Sequence, residues 1–154
     1  NSSFQLIERI VITVGPSNFN ASRLIVTCSK SLSQQINCSL DNYSNFQIIA
    51  NRLIANKNKF DLQNNKTFWI INKLKNRGFI AGKYSIEFKN NTTKELIRPK
   101  LYSDLEQDST FYEIKFNIKE ELKELLDLSY LNYKNHIVNS WENVFPIYPI
   151  SPVN

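Results

Sequence analysis

The apolar residues of this sequence come in short runs, and the spacing within those runs changes along the chain. The runs are too short and too interrupted to cross a bilayer, which takes about 20 mostly apolar residues. With 154 residues, 42% of them hydrophobic, the chain can bury a core without help from a metal or a disulfide. We therefore expect one globular domain over residues 1–154 and no membrane span.

Strand-like composition dominates the first third of the chain. Segments 4–14, 23–28 and 35–40 are rich in residues that favour strands, above all Ile, Val and Thr, so region 1–43 predicts a β-rich meander. Cys28 and Cys38 fall on two of these predicted strands. A hairpin disulfide between them is geometrically possible, and two buried free thiols are the alternative.

Helical spacing begins after residue 43. Ser44, with Gln47 three positions later, forms a capping box ahead of an amphipathic helix that we expect to reach about residue 56. Segment 66–77, followed by Gly78, is interpreted as a second helix with basic residues on it. Further on, strands are expected at 79–89, 95–102 and 110–118, and a last helix at 117–141.

The last helix has one apolar face, which we expect to pack on the sheet. That face is formed by Leu122, Leu125, Leu126, Tyr130, Tyr133, Ile137 and Trp141. The predicted fold class is α+β, an N-terminal β-meander followed by a helix-strand-strand-strand-helix unit. We divide the single domain into a β-rich N-terminal region (1–43), a basic α/β core (44–142) and a proline-rich tail (143–154).

Charge is distributed unevenly along the sequence. Residues 1–50 carry a net charge of +1, residues 51–100 carry +9 and residues 101–154 carry −5. A basic middle segment predicts a face that binds a polyanion, most often nucleic acid, and a solvated lysine-rich surface is the alternative. The candidate nucleic-acid contacts are Lys66, Lys73, Lys75, Arg77, Lys83, Lys89 and Lys100.

Two short motifs fall on the predicted strands of residues 66–141, namely Arg98-Pro99-Lys100 and Glu113-Ile114-Lys115. With the order helix, strand, strand, strand, helix, they resemble the PD-(D/E)xK nucleases. The resemblance implies Mg²⁺ or Mn²⁺ as cofactor, with Glu113 as a metal ligand and Lys115 as the catalytic lysine. Lys100 stands where that family has its first Asp, so the core is either degenerate or completed by Asp104, or alternatively Asp108, as the second ligand and catalytic carboxylate.

We therefore predict a nucleic-acid-binding domain with a nuclease-like core; if active, it is a metal-dependent phosphodiesterase (endonuclease). A winged helix that binds DNA or RNA is another interpretation of the same basic segment. Seven N-x-[ST] sequons favour a different class, a secreted or surface glycoprotein that binds a protein partner. The apolar proline-rich tail favours a third, a structural subunit of a larger assembly. An intracellular location is favoured, and secretion is the alternative.

Overall fold

The computed structural model describes residues 6–55, 67–75, 77–87, 91–105, 110–115 and 117–149. They form an α+β fold, as the sequence predicts. The elements, in chain order, are β1 (Arg9–Thr13), α1 (Phe19–Ile36), β2 (Ser39–Tyr43), α2 (Asn45–Ala55), β3 (Thr67–Leu74), β4 (Gly78–Glu87), β5 (Thr92–Tyr102), β6 (Phe111–Glu113) and α3 (Ile118–Lys134).

A first sheet pairs β1 and β2 in parallel, with Ile10 opposite Leu40 and Thr13 opposite Tyr43. Its even-numbered apolar side chains pack against α1 and against the segment that follows α3, because alternate residues of a strand point to one face. This first core consists of Ile12, Val14, Val26, Leu40, Val144 and Ile147. The tail predicted from Phe145 onward therefore packs on the domain, at least as far as the structure describes it.

The predicted N-terminal meander is wrong, because segment 23–28 lies inside α1. Two parallel strands cannot be joined by a tight turn and need a crossover, which α1 provides. Ser22 and Val26 lie four positions apart and are buried on one face of this helix. Asn18 caps its start by accepting a hydrogen bond from the Asn20 N–H. Burial and capping thus override the strand propensity of Ile, Val and Thr.

In the described portion of the chain, a second sheet has the strand order β5-β4-β3-β6. β3 and β6 are parallel, and the other pairs are antiparallel. Helix α2 covers one face of this sheet and lies within the range predicted for it, 44–56. The Gln47 N–H donates to Ser44 Oγ, which confirms the predicted cap. The second core consists of Phe46, Ile49, Ala50, Ile54, Phe68, Ile70, Ile80 and Tyr84.

The helix predicted at 66–77 is wrong, because Thr67–Leu74 forms strand β3. β3 lies inside the sheet and is buried on both faces: Phe68 and Ile70 pack toward α2, and Trp69 and Ile71 pack on the opposite side. A strand buried on both faces has a continuous apolar run instead of alternation. Such a run also contains apolar residues at helical spacing, which explains the error.

Helix α3 ends at Lys134, short of the predicted residue 141, and the chain turns away at His136, whose φ is 54°. Beyond it, Lys30 of α1 donates to the carbonyl oxygens of Glu142 and Val144, and the Ile147 N–H donates to the Val14 carbonyl. These bonds place the segment after α3 on the first sheet. Among the residues described above, no helix is long and apolar enough to span a membrane.

Gly78 occupies a position in the β3–β4 turn of the second sheet that a residue with a side chain does not fit. Its φ is +83°, and a Cβ at this position would collide with the carbonyl oxygen of Tyr102 on β5. We expect Gly78→Ala to lower the free energy of unfolding by about 1–3 kcal/mol in urea denaturation. Arg77→Ala, in the same turn and exposed, is the control and should change it by less than about 0.5 kcal/mol. Equal losses in the two variants would contradict this assignment.

Candidate functional site

The predicted nuclease residues lie on opposite edges of the second sheet. Glu113 ends β6, and Asp104 follows β5, with two strands between them. In register, Lys100 pairs with Ala81, Ala81 with Ile71, and Ile71 with Glu113, so Lys100 and Glu113 are roughly 14 Å apart across three strand spacings. Lys100 and Glu113 therefore do not share a site, and the Asp104 carboxylate accepts a hydrogen bond from the Leu105 N–H instead. Asp108 lies outside the described residues.

The described residues contain no group of three or more His, Cys, Asp or Glu side chains that could hold a metal ion. Lys115, the predicted catalytic lysine, is exposed, and its carbonyl oxygen accepts a hydrogen bond from Arg52. The expected Mg²⁺ or Mn²⁺ stays a prediction.

The predicted nucleic-acid contacts do not share a helix face. Lys73, Lys75 and Arg77 are exposed at the end of β3 and in the turn after it. Lys83 and Lys100 each lie over an aromatic ring of the same sheet, with Nζ 5.6 and 5.2 Å from the ring centroids. Two of the predicted contacts, Lys66 and Lys89, lie outside the described residues.

Cys28 and Cys38 are free thiols in the structure. Cys28 lies within α1 and Cys38 follows its end, instead of lying on two paired strands. The Cys38 N–H donates to the Ser33 carbonyl at 3.1 Å, so Cys38 lies against the last turns of α1, whereas Cys28 lies further back along the helix. The predicted bridge does not form.

The best-connected polar group of the described chain is the buried carboxylate of Asp41 on β2. It accepts hydrogen bonds from Arg9 Nη1 at 2.7 and 2.9 Å, Ser129 Oγ at 2.6 Å, Asn132 Nδ2 at 3.1 Å and Asn139 Nδ2 at 2.6 Å. These donors lie on β1, on α3 and on the segment after α3. One carboxylate therefore fixes the position of α3 on the first sheet.

Arg9 extends this cluster to the end of α3. Its Nη2 donates to the Ile137 carbonyl at 2.6 Å, and its Nη1 also lies 3.1 Å from Ser39 Oγ. Below these bonds Leu125 and Leu128 are buried, so α3 meets the rest of the protein through both apolar and polar contacts. The orientation of α3 is set by hydrogen bonds that join it, and the segment that follows it, to β1 and β2.

The outward side of α3 carries a row of large apolar side chains at intervals of three or four residues, which places them on one side of the helix. We call this set the α3 row: Ile118 is 80% exposed, Leu122 58%, Leu126 55%, Tyr130 57% and Tyr133 50%. The sequence predicts that this face packs on the sheet. In the structure Leu125 is buried, whereas its neighbours in the predicted face are not. Apolar residues occupy a wider part of the circumference of α3 than its contact with the core requires. This excess width is the sequence signal that indicates an exposed apolar surface.

The α3 row runs alongside β1. At one end a groove of about 240 Å³ is lined by Thr13 together with Ile118 and Leu122. At the other end a groove of about 300 Å³ is lined by Arg9 together with Tyr133 and other residues. The α3 row therefore runs antiparallel to β1, with Ile118 near the carboxyl end of β1 and Tyr133 near its amino end.

The edge of β1 that faces away from β2 has no neighbouring strand among the described residues, and we call it the open edge of β1. The Ser39 N–H donates to the Glu8 carbonyl and the Val14 N–H donates to the Tyr43 carbonyl, which fixes the register of the parallel ladder. In such a ladder alternate residues of a strand bond to one neighbour. The N–H and C=O groups on the free edge are those of Arg9, Val11 and Thr13, and none has a backbone partner within the described ranges.

The outer edge of β2, in contrast, is partly covered. The Leu40 N–H donates to the Asn139 carbonyl at 3.0 Å, and the Asn139 N–H donates to Ser39 Oγ at 3.0 Å. The segment after α3 thus occupies the β2 edge at Leu40. The candidate functional site consists of the α3 row and this open edge of β1.

No family model and no curated protein matches this sequence. Solved structures do resemble the fold. An uncharacterized protein with similarity to peptidase YEAZ, from Pseudomonas aeruginosa, matches with a TM-score of 0.68 and 11% identity, over 96% of this chain and 76% of that one. YeaZ from Pseudomonas aeruginosa matches with a TM-score of 0.66 and 11% identity, over 94% and 76%. At this identity the likeness shows the fold alone.

The prediction of a nucleic-acid-binding, nuclease-like function is therefore wrong. The two structures named above are YeaZ and a protein with similarity to peptidase YEAZ, and nothing in that likeness indicates a nuclease. The physical source of the error is β3. Because segment 67–74 is a strand, the sheet places β5 and β6 at its two edges, and Lys100 and Glu113 are three strand spacings apart.

Removal of the Asp41 carboxylate tests how much the site depends on it. Asp41→Ala leaves the Arg9 guanidinium partly buried without its counter-charge, so we expect the free energy of unfolding to fall by about 3–5 kcal/mol in urea denaturation. Asp127→Ala removes an exposed carboxylate of α3 and should change it by less than about 0.5 kcal/mol. If Asp41→Ala also lowers the free energy of unfolding by less than about 0.5 kcal/mol, the structure does not depend on this carboxylate as proposed.

Tyr43 makes the same cluster sensitive to alkali. Burial, with a smaller contribution from the nearby Asp41 charge, raises its pKa from 10.0 to about 12. Because the folded state holds this proton more tightly than the unfolded state, the contribution to stability is complete below pH 10 and is lost as pH rises toward about 12. Between pH 10 and about pH 12, the free energy of unfolding should therefore fall less in Tyr43→Phe than in the parent protein. Tyr130→Phe, which removes an exposed hydroxyl, should behave as the parent does.

Proposed function

We propose that this chain is a protein-binding domain with a YeaZ-like fold, and that the α3 row is its contact surface. The observation that carries the proposal is the exposure of five large apolar side chains in one continuous row. Contiguous apolar patches of more than a few hundred Å² are typical of interaction sites in soluble proteins.

The size and composition of the row support this proposal. From their exposed fractions, the five side chains present an apolar surface on the order of 600 Å², close to the roughly 800 Å² that each partner buries in a specific interface. Tyr130 and Tyr133 contribute two stacked rings with centroids 6.3 Å apart. Tyrosine is enriched at the energetic centres of interfaces, because a large ring is immobilised at little entropic cost.

The row is also held in a fixed position before any partner arrives. Ser129 and Asn132 on the inner side of α3 bind the buried Asp41, and Arg52 of α2 lies 3.3 Å from Glu120 near the start of α3. A surface that does not need to be ordered on binding loses less conformational entropy, so more of the contact energy appears as affinity.

Peptide hydrolysis, which the similarity of one neighbour to a peptidase suggests, has less support. Ser44 is 3% exposed, and its Oγ caps α2 and lies 3.2 Å from the Tyr84 hydroxyl and 3.0 Å from Glu95 Oε2. The single histidine of the sequence, His136, is exposed. Within the described residues its ring has no hydrogen bond to a serine or cysteine. These contacts support a structural role for Ser44.

Site-specific photo-crosslinking tests the proposal in cells that produce the whole chain. A benzoylphenylalanine at Tyr130 should form a covalent adduct with another polypeptide, because this side chain lies in the centre of the contact surface. A second substitution, Leu126→Asp, should reduce the adduct by about tenfold or more, since it puts a charge into the same contact.

Leu96 provides the matched control. It is a 46% exposed leucine on β5, on the other sheet. The crosslinker at Leu96 should give little adduct, and Leu96→Asp should leave the Tyr130 adduct unchanged. Equal adduct from both positions, or an adduct insensitive to Leu126→Asp in a folded variant, would overturn the proposal.

A further inference from the structure

We infer that the α3 row and the open edge of β1 form one surface, and that its occupant is a polypeptide segment in β-conformation that pairs with β1 and covers the row. The inference rests on the proposed function and names the structure of the partner. It assigns a role to backbone groups as well as to side chains.

The backbone of β1 presents the hydrogen-bonding pattern that a further strand requires. Arg9, Val11 and Thr13 direct an N–H and a C=O each to the free edge, spaced two residues apart. Parallel strands occur in larger sheets that are covered on both faces, and isolated strand pairs are marginally stable in water. An exposed edge of this kind is a template for an incoming strand, as in recognition by strand addition.

The side chains beside that edge suit the same occupant. The two grooves show that the row accompanies β1 along its length, from Thr13 to Arg9. A strand added to β1 would direct every second side chain toward α3, where Leu126 and Tyr130 are more than half exposed. The partner segment therefore has apolar residues at alternate positions, on the side that meets the row.

The occupant could be a segment of further polypeptide or a second copy of this chain. The similar solved structures favour the first. In each of the two similar structures the matched portion is 76% of the chain, so the same fold occurs there together with polypeptide outside the matched portion. The row alone falls short of a standard interface, and an added strand supplies the missing area. We commit to a strand from further polypeptide, and a second copy is the alternative that the test separates.

The experiment is a titration of the isotope-labelled chain with a synthetic peptide that alternates valine and threonine and has a lysine at each end. We expect a Kd of about 0.1–1 mM, within reach of NMR. The amide signals of Val11 and Thr13 should shift, and their exchange with water should slow, because their N–H groups become hydrogen-bonded. Leu126 and Tyr130 signals should shift with them.

Two controls isolate the backbone contribution. The same peptide, N-methylated at alternate residues, keeps its side chains but cannot pair with β1, so it should bind at least roughly tenfold more weakly. Val11→Pro removes one donor from the free edge without touching the β1–β2 ladder and should abolish binding, whereas Val11→Thr keeps the N–H and should not. If Val11→Pro does not fold, the two peptides decide the question.

Three results would overturn the inference: no binding of the unmethylated peptide at millimolar concentration, equal affinity of the two peptides, or dimerisation of the chain that protects Val11 without peptide. The last result would make a second copy the occupant. The proposed function fails separately. If the Tyr130 adduct persists while the peptide does not bind, α3 binds a partner without strand addition.

Discussion

The burial of one charged carboxylate, Asp41, is the constraint on which the rest of the structure depends. An ionised carboxylate away from water is costly unless every oxygen is hydrogen-bonded and a counter-charge lies close by. Here the counter-charge comes from Arg9 on β1, and the further donors come from α3 and from Asn139 beyond it. Four separate segments of the chain must therefore be in place together. The position of α3, and with it the exposed row, follows from this requirement.

The two sheets are joined through the helices. Helix α2 covers the second sheet, and its Arg52 lies within 3.3 and 3.6 Å of Glu120 and Glu121 of α3, which covers the first sheet. At the other end of α2, Ser44 bonds to Tyr84 and Glu95 of the second sheet. The inner sides of both helices are thereby occupied. The apolar residues that remain on the outward side of α3 are half or more exposed.

The sequence predicts those elements whose local signals agree with their burial, and it fails where tertiary context decides. Helix α2 has a capping box and a regular apolar stripe, and strands β4 and β5 lie close to their predicted ranges. For helix α1 and strand β3 the local composition favours the opposite class, because crossover topology and burial on both faces override it. The Asp41 cluster cannot be found from the sequence, since Ser129 and Asn139 are 88 and 98 residues away. The α3 row is recognisable as apolar, but its exposure depends on what α2 and the first sheet leave uncovered.

The bonds that Asn139 makes at β2 have a consequence for stoichiometry. A strand pair with two open edges can extend in both directions and give rise to open-ended polymers. In this protein the segment after α3 occupies the β2 edge at Leu40, which hinders growth there and leaves the open edge of β1 as the favoured side. Once one strand has been accepted there, further growth depends on the partner and no longer on this chain. The fold thus favours a closed complex of defined composition over a fibre.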